Sequence, residues 1–222
     1  MWTAWTISTT GALLAAVLFS GLLAALFSWT AYVLPRALDG SLSAHAGRAH
    51  RRYRVGFWVL AVALACVCVW RFGATPAALA AIIYIQVLLA LAWIDAETGL
   101  LPDILSLSLL WLGLLVNLYG AFTALPDAVV GAVAGYLALW IVCQAFFLLT
   151  GRVGMGHGDF KLLAAMGAWL GWMSLPWVLL ISSLLALVVA LCLRLSGRMK
   201  AGDALHFGPY LAVAGILMLL RL

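Results

Sequence analysis

The sequence predicts an all-α, polytopic membrane protein of about eight transmembrane helices, and three observations carry that prediction. Of 222 residues, 67% are hydrophobic and only 9% are charged, against about 45–50% apolar and about 25% charged in a soluble domain. Mean hydropathy is +1.18 and is spread along the chain, not confined to one anchor. The apolar runs approach the roughly 20 residues of a membrane helix and do not alternate like barrel strands. A water-soluble enzyme is excluded, and residues 1–222 read as a single membrane domain.

Breaks at proline, glycine and charge clusters place the spans at 9–34, 55–70, 76–94, 104–119, 128–149, 160–172, 175–193 and 206–220. The first is long, has no basic residue before it and lacks a clear cleavage site, so it reads as a retained span and not a signal peptide. The second follows a basic cluster, and the third runs from Pro76 to an aspartate, Asp95. Leu101-Pro102-Asp103 and Leu125-Pro126-Asp127 open the fourth and fifth spans, with proline at a first helical position and an acid near the positive end of the helix dipole. The sixth, 160–172, is the weakest. Cys66, Cys68, Cys143 and Cys192 lie inside apolar runs, with no Cys-x-x-Cys pair, and read as core residues and not metal ligands.

Charge tests the span count independently, because Lys and Arg collect on the cytoplasmic side. With eight spans, one side carries Arg36, Arg48, Arg51, Arg52, Arg54, Arg152, Lys161, Arg194, Arg198 and Lys200, and the other only Arg71 and Arg221. Dropping the sixth span would set the two main basic clusters on opposite faces. Both termini are therefore expected outside. The net charge of +5 reports orientation, and no nucleic-acid partner is expected.

Asp39, Asp95, Glu97, Asp103, Asp159 and Asp203 share the cytoplasmic side, leaving only Asp127 outside. Acids do not set topology, so the skew has another cause. Asp127 reads as a helix-start acid and Glu97 as a solvated one. Asp103 reads as a helix-start acid or as a contact for a substrate or partner. Asp95 is different: it ends a helix, where the dipole disfavours negative charge, although the helix can continue through it to the turn signal at Gly99. Asp159 follows Gly154-Met155-Gly156-His157-Gly158, a lead-in that allows close backbone approach. Its plain reading is an N-cap. A phosphate loop is disfavoured by the missing Gly-Lys-Ser/Thr and by the carboxylate itself. Two aspartates 64 residues apart, both at the membrane edge, point either to acid–base hydrolysis through a shared proton or to ion-coupled transport.

Three segments resemble the type IV prepilin leader peptidases, membrane aspartic peptidases with a Gly-x-Gly-Asp signature. Asp95 is followed seven and eight residues later by Pro102-Asp103; Gly156-His157-Gly158-Asp159-Phe160-Lys161 is similar to the second motif; and His206-Phe207-Gly208-Pro209 is similar to the stretch that opens the family's last helix. The resemblance implies that Asp95 and Asp159 form a catalytic pair, acting without cofactor or metal on the short basic leader of prepilins or type II secretion pseudopilins. It also implies a bacterial inner membrane with the active site on the cytoplasmic side. Gly156 and Gly158 would let a substrate strand approach, and Lys161 would either tune Asp159 or anchor the membrane edge. His157 occupies a variable position and is given no catalytic role.

The chain departs from long-form members in its first cytoplasmic loop. These carry a domain with paired Cys-x-x-Cys motifs linked to N-methylation of the cleaved pilin, whereas residues 35–54 form a short basic loop without cysteine. His45 and His50 are too few for a closed zinc site. The arginine cluster reads as a contact to anionic lipid of the bilayer. S-adenosylmethionine is expected only if the protein is bifunctional and methylates its product.

Overall fold

A computed structural model describes residues 9–38, 48–151, 155–198 and 205–221. Every element among them is helical: α1 (Thr9–Leu38), α2 (Arg48–Phe72), α3 (Pro76–Thr98), α4 (Asp103–Asn117), α5 (Leu125–Thr150), α6 (His157–Leu170), α7 (Leu175–Leu195) and α8 (Gly208–Arg221), with a one-turn 3₁₀ helix at Trp172–Ser174. Five stretches are long and apolar enough to cross a membrane: Thr10–Val33, Arg54–Phe72, Pro76–Thr98, Leu125–Thr150 and Trp172–Leu195. The other three helices, α4, α6 and α8, have 15, 14 and 14 residues. At about 1.5 Å per residue they rise roughly 21–23 Å, short of a hydrocarbon core near 30 Å.

The helices outrun the apolar stretches at their polar ends. Helix α1 passes Pro35 to reach Leu38, and α2 begins at Arg48, because backbone hydrogen bonding extends a helix into polar residues that hydropathy does not register. Asp39, His45, Arg152, Gly154, Lys200 and Asp203 lie outside the described residues, as do the side chains of Arg48, His50, Arg51 and Arg52.

The chain forms two compact units, Met1–Ile94 and Asp95–Leu222. In the first, Ala24, Phe57, Ala61 and Ala90 are buried together, with Phe27, Trp58 and Trp93 packed around them. Lipid tails are as apolar as these side chains, so close packing and hydrogen bonds join the helices more than hydrophobicity does. Ser20 supplies such a bond: its Oγ donates to the Ala61 carbonyl at 3.1 Å and accepts from Gln86 Nε2 at 2.8 Å.

In the second unit α6 is the central helix, packed by α4, α5 and α8, and every residue from Leu162 to Gly171 is buried. Its weak apolar signal follows from that position, since a helix enclosed by protein needs small residues more than a lipid-facing surface. Gly131 and Gly135 of α5 sit one turn apart with their backbones against α6. A Cβ at Gly135 would lie 2.6 Å from the Leu163 carbonyl oxygen, and Cβ atoms at Gly131 and Gly167 would each meet the other's carbonyl. On α4, Gly113 makes room for the Trp169 ring, whose Nε1 donates to the Leu109 carbonyl at 2.8 Å. Buried Asn117 completes the contact, donating to the carbonyls of Ala168 and Trp169 at 2.8 and 3.0 Å and accepting from the N–H groups of Phe122 and Thr123. Helix α6 is therefore pinned along its length and at its far end.

Gly167→Leu will force α5 and α6 apart, with an expected loss of about 1–3 kcal/mol or more. Gly56 of α2 has no atom within 4 Å of its would-be Cβ, and Gly56→Ala will leave stability unchanged or slightly raised. Thermal unfolding in detergent checks both; equal midpoints for the two variants would contradict the close α5–α6 contact.

Candidate active site

The site lies within the second unit, at the end where α6 and α8 begin and the chain leaves α3. Asp95 lies in the last turn of α3 and is buried, only 5% exposed. The helix ends at Gly99, whose φ of +67° suits a residue without a side chain and whose N–H donates to the Asp95 carbonyl at 2.8 Å. The continuation of the helix through Asp95, one of the options open in the sequence, is therefore realised, and the carboxyl stands near the unfavourable negative end of α3. A second helix offsets that placement. The N–H of Gly208, the first residue of α8, donates to Asp95 Oδ2 at 3.0 Å, so the carboxyl also sits on a positive helix end.

Asp159 is 8% exposed and is not an N-cap. That position belongs to Gly156, and Asp159 is the third residue of α6. The Gly-rich lead-in starts the helix earlier than the apolar run suggests, which carries the aspartate inward by most of a turn. Asp159 Oδ1 is buried and has no hydrogen-bond partner among the described residues. Asp95 and Asp159 line one cleft of about 510 Å³, together with Asp103, Gly156, His157 and His206.

Around this pair the remaining expected residues take distinct places. Asp103 is in the first turn of α4 but makes no side-chain cap bond; its two oxygens instead accept from Lys161 Nζ at 2.6 and 2.7 Å. Lys161 thus ties the start of α6 to the start of α4, a role not read from the sequence for either residue. No atom of the described residues lies within 4 Å of a Cβ placed on Gly156, whereas a Cβ on Gly158 would lie 2.7 Å from that of Leu101. The bareness of Gly158 serves packing within the chain. Asp127 lies in the first turn of α5 and accepts from Trp172 Nε1 at 3.1 Å, away from the cleft. Gly208 had no role in the sequence reading. It entered there only as part of the His206-Phe207-Gly208-Pro209 stretch that resembles the start of the family's last helix, a pattern that says nothing of Asp95, 113 residues earlier.

Among the described residues no group of three or more His, Cys, Asp and Glu side chains is placed to hold a metal ion. The chemistry on offer is that of two enclosed carboxyls in a cleft with one open glycine at its edge. These features define a multi-pass, all-α membrane protein with a paired-aspartate site. Residues 82–191 match the model of the type IV leader peptidase family, and the chain belongs to that family.

Over 182 residues the chain is 49% identical to a prepilin leader peptidase/N-methyltransferase of Pseudomonas putida, covering 81% of this chain and 62% of that protein. It is 56% identical over 142 residues to a protein of that name from Aeromonas hydrophila, covering 64% and 49%. A Pseudomonas aeruginosa protein of the same name is 45% identical over 184 residues, covering 83% and 63%. The chain spans about half to three-fifths of the length of these curated relatives. No solved structure matches it.

The Lys161–Asp103 pair is partly exposed, 26% and 58% at the two side chains, so its contribution to stability is small. A double-mutant cycle with Lys161→Met and Asp103→Asn will give a coupling of about 0.2–1 kcal/mol. The coupling will shrink as salt is raised. No coupling at low salt would remove the tie between α4 and α6.

Proposed function

We propose that the protein is a membrane aspartic endopeptidase that removes the short basic leader of type IV prepilins or type II secretion pseudopilins, with Asp95 and Asp159 as its catalytic pair. The observation that carries this reading is that two buried aspartates, distant in sequence, line one cleft in the second unit. Two carboxyls in one enclosed site resist ionising together and hold a proton between them. The unprotonated member takes a proton from a water molecule as it attacks the scissile carbonyl, and the protonated member gives its proton to the departing amine. The step is balanced by water alone and needs no cofactor. The names of the relatives and the shared motifs support the substrate class.

The site is assigned to the cytoplasmic edge of the bacterial inner membrane. Arg194 in the last turn of α7 and Arg198 just after it lie on the side expected to face the cytoplasm, and a basic leader is drawn to the anionic face of such a membrane. Its apolar continuation would remain in lipid while the junction meets the cleft. Lys161 and Asp103 support the site by holding α6 to α4, and Gly156 leaves backbone accessible at its edge.

The relatives' names include N-methyltransferase, which favours a second reading in which the new amine is also methylated from S-adenosylmethionine. Against it stands the first loop of this chain, without the cysteine pairs that the resemblance links to that activity. The single-activity peptidase is the reading adopted.

Purified protein incubated with a candidate prepilin tests these assignments. Wild-type protein will shorten the prepilin, in excess chelator as well as without it. Asp95→Asn and Asp159→Asn will each abolish cleavage while remaining folded, because an amide can neither take the water proton nor supply one. Asp127→Asn will keep turnover and cost about 0.3–1 kcal/mol of helix stability. Cleavage at the wild-type rate by either dyad variant would end the mechanism, and mass spectrometry showing one added methyl on the product formed with S-adenosylmethionine would end the single-activity reading.

Orientation is checked separately in a cysteine-free background. Cysteine placed at Arg198 will react with a membrane-impermeant thiol reagent only after the cytoplasmic face is opened, and cysteine at Tyr119, exposed after α4, will react in intact spheroplasts. The reverse pattern would put the cleft on the wrong side for a cytoplasmic leader.

A further inference from the structure

Among the described residues, Asp95 is the one of the two carboxyls held by a backbone N–H. Its Oδ2 accepts the Gly208 N–H at 3.0 Å, whereas no hydrogen bond to the Asp159 carboxyl occurs among the described residues, and its Oδ1 is buried without a partner. The first turn of α8 accounts for this asymmetry. A helix start leaves its first N–H groups without partners inside the helix. Here Tyr210 and Leu211 send theirs to the Phe207 carbonyl at 3.1 Å each, and Pro209 has none to give. Gly208 therefore has the donor that this helix end turns outward, and it is spent on Asp95.

The contact also requires glycine. A Cβ at residue 208 would lie 2.6 Å from Asp95 Oδ2, 2.9 Å from its Cγ and 3.2 Å from its Cβ, so any other residue displaces the carboxyl itself. Gly208 is buried, as are Leu211, Ala212 and Gly215 behind it, so the helix cannot tilt away without disturbing its packing.

We propose that Gly208 is a positioning residue of the catalytic pair: its N–H reserves Asp95 Oδ2 as a fixed acceptor and leaves Oδ1 as the oxygen that handles the water or the shared proton. An N–H can only donate, so the proton held by the pair cannot lie between Oδ2 and Gly208. Protonation of Oδ2 would weaken it as acceptor of that N–H, so the proton is favoured on Asp95 Oδ1 or on Asp159, to whose carboxyl no hydrogen bond is made among the described residues. The backbone of α8 thereby sets which face of Asp95 works, and Asp159 stays free to pass its proton. This inference rests on the peptidase reading for its consequence on rate, but the bond itself is measurable without any substrate.

Two experiments test it. In a prepilin cleavage assay, Gly208→Ala is expected to lower kcat at least tenfold with KM within twofold of wild type, because the displaced carboxyl still leaves the rest of the cleft to bind substrate. Val213→Ala, at an exposed position of the same helix, serves as the control for α8 and will stay within twofold in both constants. A folded Gly208→Ala protein with kcat within twofold of wild type would overturn the proposal, as would a loss confined to KM. Should that variant fail to fold, amide hydrogen exchange of selectively labelled glycine decides the matter with residue 208 intact. The Gly208 amide will be protected in the wild type and will exchange at least tenfold faster in Asp95→Ala, while Gly167, buried in α6, stays unchanged. Equal Gly208 exchange in the two proteins would overturn the bond. If the wild type cleaves no prepilin yet Gly208 exchange depends on Asp95, the peptidase reading fails and the positioning contact stands.

Discussion

Asp95 is tenable only because two helices share the task of holding it. Near the end of α3 its charge faces carbonyls whose dipoles oppose it, and its burial removes the water that would otherwise solvate it. The start of α8 supplies the N–H donor and the favourable dipole end that α3 lacks. A carboxyl in this state is costly to build and fixed in place once built, conditions under which a side chain is retained for chemistry rather than stability. Much else in the second unit follows from the need to bring α8, the end of α3 and the start of α6 to one place.

Helix α6 meets that need through small residues. With Gly131 and Gly135 backed against Leu163 and Gly167, α5 and α6 approach to backbone contact, the means by which membrane helices gain dispersion energy in the absence of a hydrophobic drive. At one end Asn117 and Trp169 anchor α6 to α4; at the other the Lys161–Asp103 pair does so beside the cleft. Asp159, third in α6, inherits its position from both. The aspartate is therefore placed by a rigid element and not by the glycine-rich segment before it, which is how a side chain is kept within the tolerance that proton transfer demands.

The two carboxyls are not equivalent. Asp95 is bonded to the backbone of another helix, and Asp159 faces the cleft without a donor among the described residues. An arrangement that restrains one member and leaves the other free suits a reaction in which one group must orient a nucleophile and the other must shuttle a proton. It also explains why glycines cluster here for different reasons: Gly99 turns the chain, Gly158 packs on Leu101, Gly156 leaves the rim open and Gly208 admits a carboxyl oxygen.

Composition and periodicity determined the class of fold and the order of the helices, because burial in lipid writes itself into long apolar runs, and they singled out Asp95 and Asp159 as acids at the edges of such runs. The eight expected helices occur in order with ends within a few residues of those expected, five of them long and apolar enough to cross a membrane. Helix α2 is the exception, since Arg48 to Arg54 form helix without carrying an apolar signal. The N-cap reading of Asp159 failed for a related reason: the helix begins in Gly-rich sequence whose propensity hides it. What only tertiary structure decided were the contacts between segments far apart in the chain, namely Gly208 with Asp95, Lys161 with Asp103 and Gly131 with Gly167. A backbone N–H carries no residue identity, and a glycine looks the same whether it turns a chain, packs a helix or cradles a carboxylate. Those roles depend on what lies a few ångströms away in space, and a single sequence records only what lies beside it along the chain.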